Sequence, residues 1–139
     1  MSPVSVSPGT TVSDTAHEVH QSLAGYFDAV EQHDLGTFLS VFQECDQFTV
    51  FEDKEMYGWK EFVAFAEGFL HTVATIAFER ESCLVDLVAP NVAVATGVFR
   101  GTGTTTSGEA VSVHNAFTFV LGKGDGEWKI RHVHESSLA

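Results

Sequence analysis

Trp128-Lys-Ile-Arg-His-Val-His-Glu-Ser136 is the last stretch of this 139-residue chain able to form a strand, and its period governs how the rest is read. Successive strand side chains point to opposite sides. Trp128, Ile130, His132, His134 and Ser136 are therefore expected on one face, apolar where it starts and polar where it ends. A face that carries an indole into a core, then two imidazoles and a hydroxyl toward one end, is the wall of a pocket with a greasy floor and a wet mouth.

Working outward from that strand, a period of two also runs through residues 75–89, 92–103 and 109–121. Pro90-Asn91, the Gly/Thr/Ser run 101–108 and Gly122-Lys-Gly-Asp-Gly126 separate these segments and have turn composition. Within 75–89 the apolar parity changes near Arg80 to Ser82, from Ile76 and Phe78 to Cys83, Val85 and Leu87. A β-bulge produces such a change and bends the sheet.

Before residue 74 the period is helical. Thr15 with Glu18 forms a capping-box pattern, and Val19, Leu23, Tyr26, Phe27 and Val30 then share one stripe of an amphipathic helix. Asp34 is the N-cap of a shorter helix carrying Leu35, Phe38, Leu39 and Phe42, and a third helix from Gly58 carries Trp59, Phe62, Ala66, Phe69 and Leu70. Residues 47–52 read as a short strand, followed by an irregular polar connection, Asp53-Lys-Glu-Met56. Residues 1–13 have no period and read as a mobile leader, which leaves a single domain over 14–139. Helices first and strands afterwards predict an α+β fold with three N-terminal helices packed on a strongly curved antiparallel sheet.

Twelve Phe against two Trp and two Tyr suit a curved sheet roofed by helices. Nineteen acids against seven Lys and Arg leave a formal charge of −12, which repels phosphate backbones and anionic lipid and argues against nucleic-acid or membrane partners. The first residues carry neither a cationic nor an apolar targeting segment, and no stretch approaches the roughly 18 apolar residues of a membrane span. The expectation is a soluble, cytoplasmic protein. Cys45 and Cys83 have no C-x-x-C partner and are expected to be small buried hydrophobes.

The order helix, helix, short strand, helix, four long strands resembles the cone-shaped fold of nuclear transport factor 2 (NTF2-like), the ketosteroid isomerases and the SnoaL-like polyketide cyclases. The ending Gly126-Glu-Trp128-Lys-Ile130-Arg-His-Val-His134-Glu-Ser136 is similar to the C-terminal strand of SnoaL-like members. The resemblance covers residues 15–137 and implies a homodimer through the outer face of the sheet. Alternating Val92, Val94 and Val98 agree with an apolar outer surface.

From the ketosteroid isomerase pattern, Tyr26 matches the first-helix tyrosine that donates to a developing oxyanion, including its eight-residue spacing to Asp34-Leu35. Glu52 falls where the family has its carboxylate base if two residues are inserted, with Asp53 one step away. Asn115, in N-x-F-x-F with Phe117 and Phe119, matches the position of a protonated aspartic acid that serves as second donor. Here the chain departs from the pattern: an amide donates without a raised pKa but is a weaker acid. It also has no Lys or Arg between Arg100 and Lys123 to pair an anionic substrate group.

These residues suit proton abstraction beside a carbonyl, which needs a base of matched pKa and fixed donors where negative charge develops. Tyr26 and Asn115 are the expected donors, and Glu52 or His134 the base. Burial raises a carboxyl pKa, and an imidazole titrates near neutrality. Trp59, Phe117, Phe119 and His132 are the expected pocket walls. His132-x-His134 is also a metal spacing if His114 approaches, but there is no second ligand motif, and His114 and Asn115 point to opposite faces. The expectation is no metal and no cofactor.

Two functions remain: a cofactor-free isomerase, cyclase or dehydratase acting on a small hydrophobic carbonyl compound, or a non-catalytic ligand-binding or association domain. Convergence of Tyr26, Asn115 and a titratable Glu52 or His134 on one cavity would separate them.

Overall fold

The computed structural model describes residues 12–138. Helix α1 (Val12–Glu31) is followed by α2 (Leu35–Ser40), β1 (Thr49–Glu52), β2 (Glu55–Tyr57) and α3 (Trp59–Thr72). The long strands β3 (Val73–Ala89), β4 (Val92–Thr105), β5 (Ala110–Gly124) and β6 (Glu127–Ser137) complete the chain. They form one open sheet of order β2-β1-β6-β5-β4-β3. Its pairs are antiparallel except β1 with β6, which run parallel. This is the expected α+β layout, with helices packed on a curved sheet.

Local differences have local causes. The expected leader lies outside the described residues except for residues 12 and 13, which already belong to α1. Thr15 is therefore inside the helix and 2% exposed rather than its N-cap, while Asp14 puts a negative charge in the first turn, where the helix dipole favours it. Asp34 does cap α2, its Oδ1 accepting from the Thr37 N–H at 3.1 Å. The segment expected as a polar connection is instead a hairpin, with Glu52 opposite Glu55 across a turn at Asp53 and Lys54. Asp53 takes φ 53°, a left-handed conformation that Asp tolerates better than most residues. Cys45 and Cys83 are free and half-buried, not buried as expected.

Curvature is built into the β3–β4 ladder. The pairing slips between Arg80 and Ser82, where the apolar parity changes, and again between Val73 and Thr75. Glycines of β4 lie against both bulges: a Cβ on Gly97 would stand 2.0 Å from the Ser82 carbonyl oxygen, and one on Gly103 1.8 Å from that of Thr75. Only a residue without a side chain lets the bulged backbone fold over it so closely.

The core lies between the helices and the inward face of the sheet. Val19, Leu23 and Phe27 of α1 are buried with Ala93 and Ala95 of β4 and Phe117, Phe119 and Leu121 of β5. Phe27 meets Phe78 and Phe99 edge-on at 5.2 and 5.1 Å.

One slip corrects the reading of the last strand. Leu121 pairs with Ile130 and Val120 with His132, so Arg131 is an extra residue in β6. The parity inverts there. Trp128 and Ile130 face the core as expected, but beyond the bulge Val133 and Glu135 face inward, while His134 and Ser136 are exposed. Among the described residues no helix is long and apolar enough to cross a membrane.

Candidate active site

A cavity of about 90 Å³ lies between the three helices and the inward face of β1, β6, β5, β4 and β3. Its lining is apolar except for Tyr26, Glu52, Asn115 and Glu135. Phe65, which is 38% exposed, stands at its rim on α3.

Each polar group arrives for a local reason. Tyr26 is on the core stripe of α1, its ring held among Phe38, Phe42 and Phe119 at 5.2, 5.9 and 5.5 Å. Asn115 shares the inward face of β5 with Phe117 and Phe119, by strand alternation. Glu52 ends β1, and its ladder partner is Glu135. Glu135 is brought in by the Arg131 bulge.

Glu135 is the centre of the group. Its carboxylate accepts from the Tyr26 hydroxyl at 3.1 Å on Oε1 and from the Asn115 amide at 3.5 Å on Oε2. It is 7% exposed, and its pKa is pushed up to about 7, first by burial and then by the negative charge of Glu52. The two donors pull the other way but do not prevail. Burial also raises Glu52, with Asp53 adding repulsion. Tyr26 is held well above its ordinary value by burial and by Glu135, so its phenol stays a neutral donor.

The structure thus brings Tyr26, Glu52 and Asn115 together and adds Glu135, which the sequence reading passed over. Its one signal was the spacing of Ile130 and Val133, three apart where an unbroken strand would place inward apolar residues two apart. His134 lies on the other face, its ring 6.0 Å from that of Phe51, and His132 Nδ1 is 2.9 Å from the Thr49 hydroxyl. Neither lines the cavity. Trp59, Phe117 and Phe119 also stand outside its lining, as a supporting layer: Trp59 packs on Phe48 at 5.1 Å and Phe117 on Phe119 at 4.7 Å. Among the described residues no group of three or more His, Cys, Asp or Glu could hold a metal ion.

The helices packed on a curved sheet form the nuclear transport factor 2-like fold, which comparison with solved structures supports. The chain is similar to an NTF2-like superfamily protein from Salmonella enterica serovar Typhimurium LT2, with TM-score 0.82, 17% identity, and 93% of this chain and 94% of that one covered. It is also similar to a ketosteroid isomerase-like protein from Erwinia carotovora atroseptica SCRI1043, with TM-score 0.74, 17% identity, and coverage of 91% and 98%. A third similar structure is LinA, with TM-score 0.76, 15% identity, and coverage of 90% and 86%. At such identities the likeness is one of fold. No curated protein matches the sequence. Residues 19–139 match the SnoaL-like domain, and the chain belongs to that family.

Proposed function

We propose that this protein is a cofactor-independent acid–base enzyme that moves a proton on a small carbonyl compound with an apolar body, with Glu135 as the group that takes and returns it. The observation that carries this reading is one buried carboxyl, poised near neutrality and held by Tyr26 and Asn115 inside an otherwise apolar cavity. A base is most effective when its pKa lies near the working pH.

In the proposed reaction the Glu135 carboxylate removes a proton from the carbon beside the carbonyl, and the electron pair of that C–H bond delocalises onto the carbonyl oxygen as an enolate. Return of the proton to a different carbon completes an isomerisation; its transfer from Glu135 to a β-hydroxyl, whose C–O bond breaks to release water as the enolate electrons form the C=C bond, completes a dehydration. Tyr26, kept neutral, holds the base in place through its one O–H, which is freed for the enolate oxygen once Glu135 carries the proton, and Asn115, whose amide has a second N–H, offers a further donor to that oxygen. Glu52 is the neighbouring carboxyl that keeps the Glu135 pKa high. His134, facing away, has no part.

The second partner in this reading is another copy of the chain. The outer face of β3 and β4 exposes Leu84 at 70%, Val88 at 54% and Val92 at 36%, an apolar patch suited to association.

The test is deuterium uptake by cyclohex-2-enone in D₂O, followed by NMR. Uptake above buffer that falls at least a hundredfold in Glu135→Gln supports the enzyme. Saturable binding of the enone without exchange would instead favour a non-catalytic binding domain.

A further inference from the structure

Glu52 and Glu135 are paired residue for residue across the parallel β1–β6 ladder. Their side chains therefore leave neighbouring strands, about 5 Å apart, on the same side of the sheet, and both line the cavity. Like charges so placed repel. Among the described residues no Lys, Arg or His lines the cavity to offset them.

The groups acting on Glu135 are Tyr26 from α1, Glu52 from β1, Asp53 from the turn and Asn115 from β5. On the Glu52 side stands Tyr57 of β2. Each is acidic or neutral. The α2 and α3 walls add only apolar side chains, among them Phe38, Phe62, Phe65 and Phe69. Aromatic faces carry negative potential and attract organic cations. Paired carboxyls and ring faces thus favour the same ligand charge.

We infer that the cavity selects a small organic ammonium ion, its apolar body among the α3 phenyl rings and its protonated nitrogen between Glu52 and Glu135. The inference rests on the proton-transfer reading and deepens it: the preferred substrate is an amino-carbonyl compound, with a neutral ketone a weaker one and a keto acid excluded. Seating the cation replaces repulsion between the carboxyls with attraction, so the proton on the pair is released to solvent and Glu135 becomes the carboxylate base. The substrate supplies the positive charge that the protein omits. A carboxylate-bearing compound would add further negative charge beside the pair and be excluded.

Calorimetric titration of the full chain with cyclohexylammonium, cyclohexanone and cyclohexanecarboxylate, at pH 6 and pH 8, compares one ring with three charges. We expect the ammonium to bind at least tenfold tighter than the ketone at pH 8, the carboxylate not to bind, and the ammonium affinity to drop severalfold at pH 6. Glu52→Gln, checked for folding by its thermal transition, should lose tenfold or more in ammonium affinity relative to that for the ketone. Glu135→Gln provides an independent second variant with the same expected loss. Equal or tighter binding of the ketone, or ammonium affinity unchanged in both variants, overturns the inference. Ketone binding with deuterium uptake but no ammonium binding overturns it too, and leaves the proton-transfer reading standing. Ammonium binding with no deuterium uptake by any ketone, an amino ketone included, removes the proton-transfer reading and keeps the charge selection. Binding of none of the three removes both.

Discussion

The Tyr26 hydroxyl donates to Glu135 Oε1 at 3.1 Å, joining the first helix to the last strand across 109 positions of sequence. The contact exists because α1 lies over the inward face of the sheet and because a bulge turns Glu135 toward it. It orients the carboxylate and lowers its pKa against the larger effect of burial.

Replacing Tyr26 by Phe removes that donor while the ring can keep its packing on Phe38, Phe42 and Phe119. The Glu135 titration, followed by carboxyl ¹³C NMR, should move above its wild-type midpoint of about 7. Stability should fall by only about 1 kcal/mol, the net worth of one hydrogen bond. A midpoint that stays in place or moves down would show that the hydroxyl does not act on this carboxyl.

Glu135 makes stability depend on pH with a sign opposite to that of a salt-bridged carboxylate. Its folded pKa of about 7 lies above the ordinary 4.5, so between these values the folded chain holds a proton that the unfolded chain has released. Stability therefore falls as pH rises through this window, by at most on the order of 3 kcal/mol from this group. Glu135→Gln cannot titrate. Its melting temperature should exceed that of the wild type at pH 8, and the gap should close below pH 5. A constant gap would contradict the assignment.

Activity should separate the two neighbouring residues His134 and Glu135. His134 is exposed on the far face, so His134→Ala should leave deuterium exchange within about twofold. Glu135→Gln should lower it by about 10² to 10⁴, the range for loss of a general base. Comparable losses in both variants would place the chemistry outside this cavity.

Gly97 offers a test of how the curvature is built. An Ala Cβ would stand 2.0 Å from the Ser82 carbonyl oxygen and 2.9 Å from the Phe117 ring, so the β3 bulge must move to admit it. Gly97→Ala should lose about 3 kcal/mol or more by urea denaturation, the cost of overpacking against backbone. Gly68→Ala, on α3 with nothing within 4 Å, is the control and should be neutral or stabilising.

Much of this was legible in the residues. The stripes of α1 and α3, the cap at Asp34, the bulge at Arg80 to Ser82 and the four long strands follow from side-chain period and turn composition. Tyr26, Asn115 and Glu52 could be singled out by spacing and resemblance. The first short strand is legible from the composition of residues 47–52, but β2, and with it the hairpin, is not, because three residues are too few for period to register and pairing rather than composition defines them.

The sequence by itself determined the layers of this protein, helices over a bent sheet, because amphipathic period is a property of each segment alone. Which end residues enter the cavity was decided only in the tertiary structure. Arg131 is one residue more than β5 can pair, and that mismatch between two strands turns Glu135 inward and His134 out. The neutral pKa of Glu135 has the same origin, since burial and the nearby Glu52 exist only once β1 lies beside β6.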